Sequence, residues 1–133
     1  MLTYVDAGVL IAAARGRSAE ANRALAVLDD AAREFAASDF LRLEVLPKAV
    51  YNKRQAEAAF YERFFQGVRQ WAAVSQALLD SARAVATEHG LAAMDALHIA
   101  AAEALGVAQF VTGEKKEKPL FRVTSVPIWS LHG

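Results

Sequence analysis

The sequence predicts an α/β fold with a mainly parallel central sheet of four or five strands, flanked by helices in three layers. Short apolar segments alternate along the chain with helical patterns of about ten residues or more. Parallel strands need crossover connections of about a dozen residues, so this alternation favours a parallel sheet covered on both faces. With 133 residues, 55% of them apolar, the chain can bury a substantial core. We therefore expect one domain over residues 1–133.

The first half of the chain begins with a strand and continues with helices. Leu2–Val5 is a short apolar run typical of a buried strand, and Asp6 closes it. Ala7–Ala14 is predicted to be a short helix that ends before Gly16. The next predicted elements are a helix capped by Ser18, a strand at Glu34–Ala37, a helix capped by Ser38 and Asp39, and a kink or break at Pro47.

The second half repeats the alternation. A helix at Ala56–Arg69 carries Phe60, Tyr61, Phe64 and Phe65, which are too many large apolar side chains for one face. Some are candidates for a subunit or partner interface, and the alternative is core packing alone. The later predicted elements are a strand at Trp71–Val74, a helix from Ser75 to Gly90, a helix that carries Asp95 and ends at Gly106, and strands at Val107–Val111 and Val126–Trp129.

Composition and charge narrow the possible functions. Fifteen basic and fifteen acidic side chains cancel, so any surface that binds nucleic acid must be local. The absence of cysteine excludes a disulfide framework and a thiolate metal site, which suits the reducing cytoplasm. The apolar run near the amino terminus has no basic region before it and is interrupted by Asp6. We therefore expect a cytoplasmic protein without a signal peptide or a membrane partner.

Four acidic residues come from segments that could meet at one edge of the sheet. Asp6 and Glu114 follow two predicted strands, and Glu44 lies about a turn and a half into the helix after the second strand. Asp95 begins the helix that precedes the fourth strand. In open α/β sheets the ligand crevice lies outside the carboxyl ends of the strands, where these acids would converge. Taken alone, Asp95 is better explained as a helix-start acid, which the helix dipole and the free backbone N–H groups favour.

Carboxylates gathered in this way would favour a bound cation. Without one, they would repel one another and take up protons, with raised pKa values. Oxygen ligands without cysteine or paired histidines favour Mg²⁺ or Mn²⁺ over zinc. Such an ion binds phosphate oxygens and activates water, which is the arrangement of metal-assisted phosphodiester hydrolysis.

Four segments carry a resemblance to PIN-domain proteins. They are TYVDAGVLI, SDFLRLEVL, MDALHIAAA and FVTGEKK, and they occur in the order and spacing seen in that family. The chain resembles a small stand-alone member over nearly its full length. The family consists of Mg²⁺- or Mn²⁺-dependent nucleases, and many are VapC-type toxins that cut RNA in bacteria and archaea.

The resemblance implies particular site residues and partners. It implies metal-site roles for Asp6, Glu44 and Asp95, and Glu114 stands where the family usually has a fourth aspartate. It also implies an RNA substrate, a homodimer, and a small antitoxin whose inserted segment blocks the acidic site. Ala7 and Gly8 depart from the family pattern, because a small hydroxyl or amide residue commonly follows the first aspartate.

Other residues near the predicted site have both functional and structural interpretations. Thr112 matches a residue that often forms hydrogen bonds inside such sites, but a threonine at a strand end also forms turns. The basic residues beside Glu114 could bind an RNA backbone or simply belong to a solvated loop; they are Lys115, Lys116, Lys118 and Arg122. His98, three residues after Asp95, is interpreted as a packed core histidine without a catalytic role.

The leading hypothesis is a metal-dependent endoribonuclease, which could be the toxin of a toxin–antitoxin pair. A competing hypothesis is a catalytically impaired PIN-fold module that binds RNA or acts as a scaffold, because of Ala7, Gly8 and the change to Glu114. A third hypothesis is a DNA nuclease that uses the same acids.

Overall fold

Five strands form one fully parallel sheet in the computed structural model, which describes residues 1–133. The strands are β1 (Leu2–Val5), β2 (Glu34–Ser38), β3 (Gln70–Ala72), β4 (Gln109–Thr112) and β5 (Ile128–Ser130). Their order in the sheet is β3-β2-β1-β4-β5, so the first strand lies at the centre. All four strand pairs are parallel, which places every carboxyl end at the same edge. The predicted α/β fold is confirmed.

Six helices and one short 3₁₀ segment connect the strands. They are α1 (Ala7–Arg15), α2 (Ala19–Leu28), α3 (Asp39–Tyr51), α4 (Gln55–Gln66), α5 (Gln76–His89), α6 (Ala93–Leu105) and the 3₁₀ turn Pro119–Arg122. None of the helices combines the length and the apolar character that crossing a membrane requires.

Short-range signals set several of the helix ends. The hydroxyls of Ser18 and Ser75 accept hydrogen bonds from backbone N–H groups three residues later, at 3.0 and 3.1 Å, as helix caps do. Gly90 and Gly106 end α5 and α6 with φ of 68° and 62°, a left-handed conformation that glycine adopts without steric cost. Both caps and both glycine stops were predicted from the sequence.

Two predictions about α3 need correction. A kink or break was predicted at Pro47, and the break is wrong, because the helix continues to Tyr51. Pro47 and Leu43, whose carbonyl loses its helical donor, are both exposed, so water can take the place of the missing N–H. Ser38 occupies the position before α3 but its side chain makes no capping bond. Its hydroxyl instead lies 2.7 Å from the Tyr4 hydroxyl, inside the protein.

The last strands begin and end one to two residues away from the predicted positions. Val107 is buried but lies outside β4, because its N–H bonds to the carbonyl of Ala102 at the end of α6. β4 therefore starts at Gln109, which is the residue that pairs with Thr3 of β1. An apolar run shows which residues are buried, but the backbone ladder decides which of them form the strand.

The core lies on both faces of the sheet, which gives three layers. One face packs Tyr4 and Phe110 of the sheet against α5 and α6, and the two rings are stacked with centroids 5.4 Å apart. The other face packs Val5 and Val111 against helices α1 to α4. Side chains alternate between the two faces along each strand, so β1 sends Tyr4 to one face and Val5 to the other. Asp6 follows directly at the carboxyl end of the strand.

Candidate active site

A cavity of about 230 Å³ opens at the carboxyl edge of the central strands. Nine residues line it, and none of them is a lysine or an arginine. We call it the acidic cavity because five of its lining residues are acids: Asp6, Glu20, Glu44, Asp95 and Glu114. The four acids that the sequence predicted, from segments far apart in the chain, thus surround one space.

Asp6 is fixed by contacts to both sides of its carboxylate. It follows β1 and caps α1, so that its Oδ1 accepts hydrogen bonds from the N–H groups of Val9 and Gly113 at 3.2 and 3.3 Å. Its Oδ2 accepts one from the Thr112 hydroxyl at 2.5 Å. Burial raises the pKa of Asp6, and the hydrogen bond from Thr112 is the main influence that lowers it. The charged form of this acid therefore depends on its neighbours.

Thr112 joins two of the predicted site residues. It is fully buried at the end of β4, where it donates to Asp6 and accepts a hydrogen bond from the N–H of Glu114 at 2.9 Å. The threonine thus aligns the start of the loop that carries Glu114. Both functions of the side chain, turn formation and contact with the first acid, are present at once.

Two glycines let α1 approach this loop closely. A Cβ on Gly8 would lie 3.3 Å from Asp6 Oδ1 and 3.5 Å from the Cα of Gly113. A Cβ on Gly113 would lie 3.3 Å from the backbone of Gly8. A side chain at either position would need its neighbour to shift by a few tenths of an ångström, which favours glycine at both.

A buried chain of hydrogen bonds holds Glu44. His98 Nε2 lies 2.5 Å from Glu44 Oε1, His98 Nδ1 lies 2.7 Å from the Tyr4 hydroxyl, and that hydroxyl lies 2.7 Å from Ser38 Oγ. An ionised carboxylate only accepts, so His98 Nε2 carries a proton, which in the neutral imidazole is the only one on the ring. Nδ1 then accepts from Tyr4, whose oxygen accepts from Ser38. Burial raises the pKa of Tyr4, which keeps this hydroxyl a donor.

Asp95 and Glu114 complete the ring of acids. Asp95 lies in the first turn of α6 and is about half-buried. Burial raises the pKa of Asp95 first, and the nearby carboxylates of Glu114 and Glu44 raise it further, whereas His98 opposes them. The carboxylates of Glu114 and Glu44 therefore repel that of Asp95, and a cation would relieve this repulsion.

A family model for the PIN domain matches residues 3–121 of the chain. The chain belongs to the PIN domain family. No curated protein matches the sequence significantly. Among solved structures, the PIN domain is similar to VapBC2 from Rickettsia felis bound to a DNA fragment from their promoter. Identity is 14%, the TM-score is 0.71, and 98% of each chain is covered.

Two further structures share the fold of this PIN domain. A toxin–antitoxin complex from Klebsiella pneumoniae matches with 20% identity and a TM-score of 0.72 over 93% of this chain and 94% of that chain. DNA-bound VapBC from Salmonella typhimurium matches with 16% identity and a TM-score of 0.70 over 98% and 99%. At such low identity these similarities establish the architecture only.

Two residues of the PIN-domain cavity were not predicted as functional. His98 lies on the same helix face as Asp95, and its spacing of three residues was the available signal. Glu20 had no signal in the sequence, because only the packing of α2 beside α1 brings it to the cavity. Its Oε1 lies 3.5 Å from His132 Nε2, and that nitrogen lies 2.9 Å from the Gly113 carbonyl oxygen.

The basic residues after Glu114 lie outside the acidic cavity. Lys115, Lys116 and Lys118 are exposed, and Arg122 donates to the His89 carbonyl at 3.0 Å. None of them is among the nine lining residues. Their contact with RNA stays a prediction.

The cavity of this PIN domain fits a hard divalent cation. Its acidic donors are carboxylate oxygens, and the repulsion that raises the pKa of Asp95 would be relieved by a positive ion. No group of three or more acids or histidines is positioned to hold an ion directly. Mg²⁺ commonly binds one or two carboxylates and keeps several waters, so this geometry suits a water-rich site.

Proposed function

We propose that this protein, over residues 1–133 as one PIN domain, is a metal-dependent endoribonuclease that hydrolyses RNA phosphodiester bonds with an activated water. The observation that carries the proposal is the acidic cavity: five carboxylates around one space without a basic side chain among them. Membership of the PIN family supports the nuclease class. The match of Asp6, Glu44 and Asp95 to the family motif supports their catalytic role.

Asp6, Glu44, Asp95 and Glu114 would surround Mg²⁺ or Mn²⁺, with no more than two of them bound to it directly and the others acting through water. The ion would neutralise charge at the scissile phosphate and lower the pKa of water. The chain's own residues prepare the site. Thr112 and two backbone N–H groups fix the position of Asp6. His98 orients Glu44 through its proton on Nε2. Such fixed positions let a reaction begin without rearrangement of the acids.

The proposed biological role is that of the toxin of a toxin–antitoxin pair in the cytoplasm. The neighbours from Rickettsia, Klebsiella and Salmonella are toxin–antitoxin complexes, which supports a cognate antitoxin here. An antitoxin segment that carries a positive charge into the acidic cavity would inhibit the enzyme by displacing the ion. Co-purification of this protein with the product of an adjacent reading frame, and loss of cleavage in that complex, would test the partnership.

A homodimer is the proposed assembly, and α3 offers the surface that supports it. Leu43, Val50 and Tyr51 are 68%, 61% and 84% exposed on this helix, although all three are large and apolar. The aromatic side chains of α4, in contrast, are buried or half-buried. Light scattering of the purified protein and of Tyr51→Glu would test the dimer, because a charge at an apolar interface disfavours association.

The alternative function is a catalytically impaired PIN-fold module that binds RNA or acts as a scaffold. Two observations favour it. Ala7 and Gly8 provide no polar side chain beside Asp6. In addition, no three acids are in position to bind one ion directly.

A cleavage assay separates these functions. Purified protein is incubated with mixed RNA and with single-stranded DNA, with Mn²⁺ or with a chelator, beside Asp6→Asn, Asp95→Asn and the matched control Glu103→Gln. Glu103 lies on the same helix as Asp95 but is exposed. The proposal expects RNA cleavage that needs Mn²⁺, falls by at least about a hundredfold in both Asn variants and survives in the control, because each acid would be needed for the ion.

Other outcomes contradict the proposal in distinct ways. Cleavage that is equal in all variants would come from a contaminating nuclease. RNA binding without cleavage would favour the impaired module, and cleavage of DNA alone would favour the third hypothesis.

A further inference from the structure

A second cavity of about 120 Å³ adjoins the acidic cavity and differs from it in charge. Glu44 lines both cavities, so they meet at this side chain. Three cations line the second cavity, namely Arg15, Lys48 and Arg54, against two acids, Glu44 and Glu57. We call it the basic groove. A ligand that passes from one cavity to the other meets cationic side chains next to a cluster of carboxylates.

Glu57 organises the two arginines of the basic groove. Its Oε1 accepts a hydrogen bond from Arg15 Nε at 3.1 Å and lies 4.0 Å from Arg54 NH1. The Glu57 side chain is only 13% exposed, whereas both arginines are about half exposed. Each guanidinium has five N–H donors, so most donors of both arginines stay free for an anion. Lys48 also lines the groove, is exposed and forms no ion pair.

The floor of the groove contains a hydroxyl without a partner. Tyr61 is fully buried and lines the groove, and its hydroxyl makes no hydrogen bond. Burial, followed by the Glu57 carboxylate, raises the pKa of Tyr61 to about 12, so the hydroxyl stays protonated. Glu57 also raises this pKa in the way a hydrogen-bond acceptor does, so its carboxylate lies beside the hydroxyl even though the two make no regular hydrogen bond. Buried polar groups are nearly always satisfied, so this hydroxyl has room for a further acceptor or a water from the groove.

We propose that the basic groove binds the backbone phosphate next to the one that is cleaved, and so sets the direction in which RNA crosses the acidic cavity. The inference rests on the proposed ribonuclease function. A single RNA strand carries a negative charge at every nucleotide, so one phosphate can meet the cation-dependent acidic cavity while its neighbour meets Lys48, Arg15 and Arg54. An acidic protein segment fits the groove alone, because the five carboxylates would repel it from the adjoining cavity.

The inference also relocates the RNA contacts along the chain. The sequence pointed to the lysines after Glu114, but those side chains do not line either cavity. The groove residues are dispersed over α1, α3 and the start of α4, so no local run of basic residues reveals them.

The test measures the affinity of a fluorescent single-stranded RNA for protein carrying Asp95→Asn, which suppresses cleavage, in Mn²⁺ over a series of NaCl concentrations. Lys48→Ala and Arg54→Ala are compared with the parent and with the matched control Lys118→Ala. Each phosphate contact on a single strand contributes about 0.7 to the slope of log affinity against log salt. We expect each groove variant to bind several-fold more weakly with a slope smaller by about 0.7, and the control to match the parent.

The results separate this inference from the proposed function. If the otherwise wild-type protein cleaves RNA but the groove variants keep the parental slope, the groove assignment fails and the nuclease stands. If it does not cleave, yet the slope falls in both groove variants, the groove stands and the nuclease fails. A loss in Lys118→Ala alone would return the contact to the loop after Glu114. If polyglutamate affinity falls in Lys48→Ala while RNA affinity is unchanged, the groove binds an acidic protein segment.

The variants should all fold, because Lys48, Arg54 and Lys118 are exposed. Equal thermal midpoints would verify this before the affinities are compared.

Discussion

Thr112→Val should show how strongly the first acid depends on its neighbour. Valine has nearly the shape of threonine, so the change deletes one buried hydroxyl and leaves the packing of β4 almost as it was. The Oδ2 of Asp6 loses the hydrogen bond that the threonine donates, and the N–H of Glu114 loses its acceptor. Asp6 stays buried after this loss and keeps only its backbone contacts.

The expected cost follows from these two contacts. A hydrogen bond to a charged group contributes roughly 1.5–3 kcal/mol, so the free energy of unfolding should fall by about 2 kcal/mol. For a domain of this size about 1 kcal/mol corresponds to roughly 4 °C, which predicts a thermal midpoint about 8 °C lower. The measurement is thermal unfolding of metal-free protein at neutral pH, beside the matched control Thr124→Val at an exposed position. The control should change stability by less than about 0.5 kcal/mol.

The sign of the pH dependence provides the sharper criterion. Burial raises the pKa of Asp6 in the folded state, and Thr112 lowers it. Above the folded pKa Asp6 is charged in both proteins, so the variant loses the full stabilisation that a hydrogen bond to a charged carboxylate provides. As the pH falls through the folded pKa, Asp6 takes up a proton in both proteins and only a neutral hydrogen bond is lost. An identical midpoint for variant and wild type at neutral pH, or a difference that does not shrink in mild acid, would refute this account of Asp6.

Two further predictions concern the same site. Added Mn²⁺ should raise the thermal midpoint more at neutral pH than in mild acid, because burial raises the pKa values of Asp6 and Asp95 and protons then compete with the ion. A thermal shift assay measures this, with magnesium as a second ion. A rise that is independent of pH would count against an ion bound by these acids. His98→Leu should lower the free energy of unfolding by about 2 kcal/mol, because it breaks the buried chain between Tyr4 and Glu44, and it should reduce kcat more than it raises KM. His98→Gln, which keeps a donor, should recover part of kcat. Denaturant unfolding measures the change in stability, and cleavage kinetics measure kcat and KM. A leucine variant with normal kcat would show that Glu44 needs no support from His98.

The fold could be predicted from the sequence wherever a local pattern of residues was compatible with only one structure. Alternating apolar runs and helical patterns predicted the parallel sheet, and Ser18 and Ser75 marked helix starts that the structure confirms. Ser38 misled because a serine before a helix usually caps it. Its hydroxyl is used by Tyr4, a residue 34 positions away, and no local pattern reveals such a competitor. The break predicted at Pro47 does not occur, because at an exposed position water can replace the missing backbone donor.

The acids were found because strand ends in a parallel sheet share one edge, so topology alone brought Asp6 and Glu114 near each other. The spacing of three residues between Asp95 and His98 on α6 was less informative about the site than the strand ends were. His98 is a buried core histidine, as interpreted from the sequence, but its contact with Glu44 was not predicted, because Glu44 lies 54 residues away in the chain. Glu20 depends on how two helices pack, which the order of residues does not specify. Arg15, Lys48 and Arg54 belong to three elements that meet only in the folded chain.

The central position of the first strand affects how the protein is made. Thr3 pairs with Phe35 on one side and with Gln109 on the other, so the bonds between β1 and β4 must wait until residues 109–112 have left the ribosome. Parallel pairings between distant segments form slowly, and the nascent chain keeps an unpaired edge until then. Asp6 receives its contacts from Thr112 and Gly113 at the same late step. A polypeptide synthesised only as far as α6 therefore has no assembled acidic cavity, because β4 and the loop that carries Glu114 are still missing.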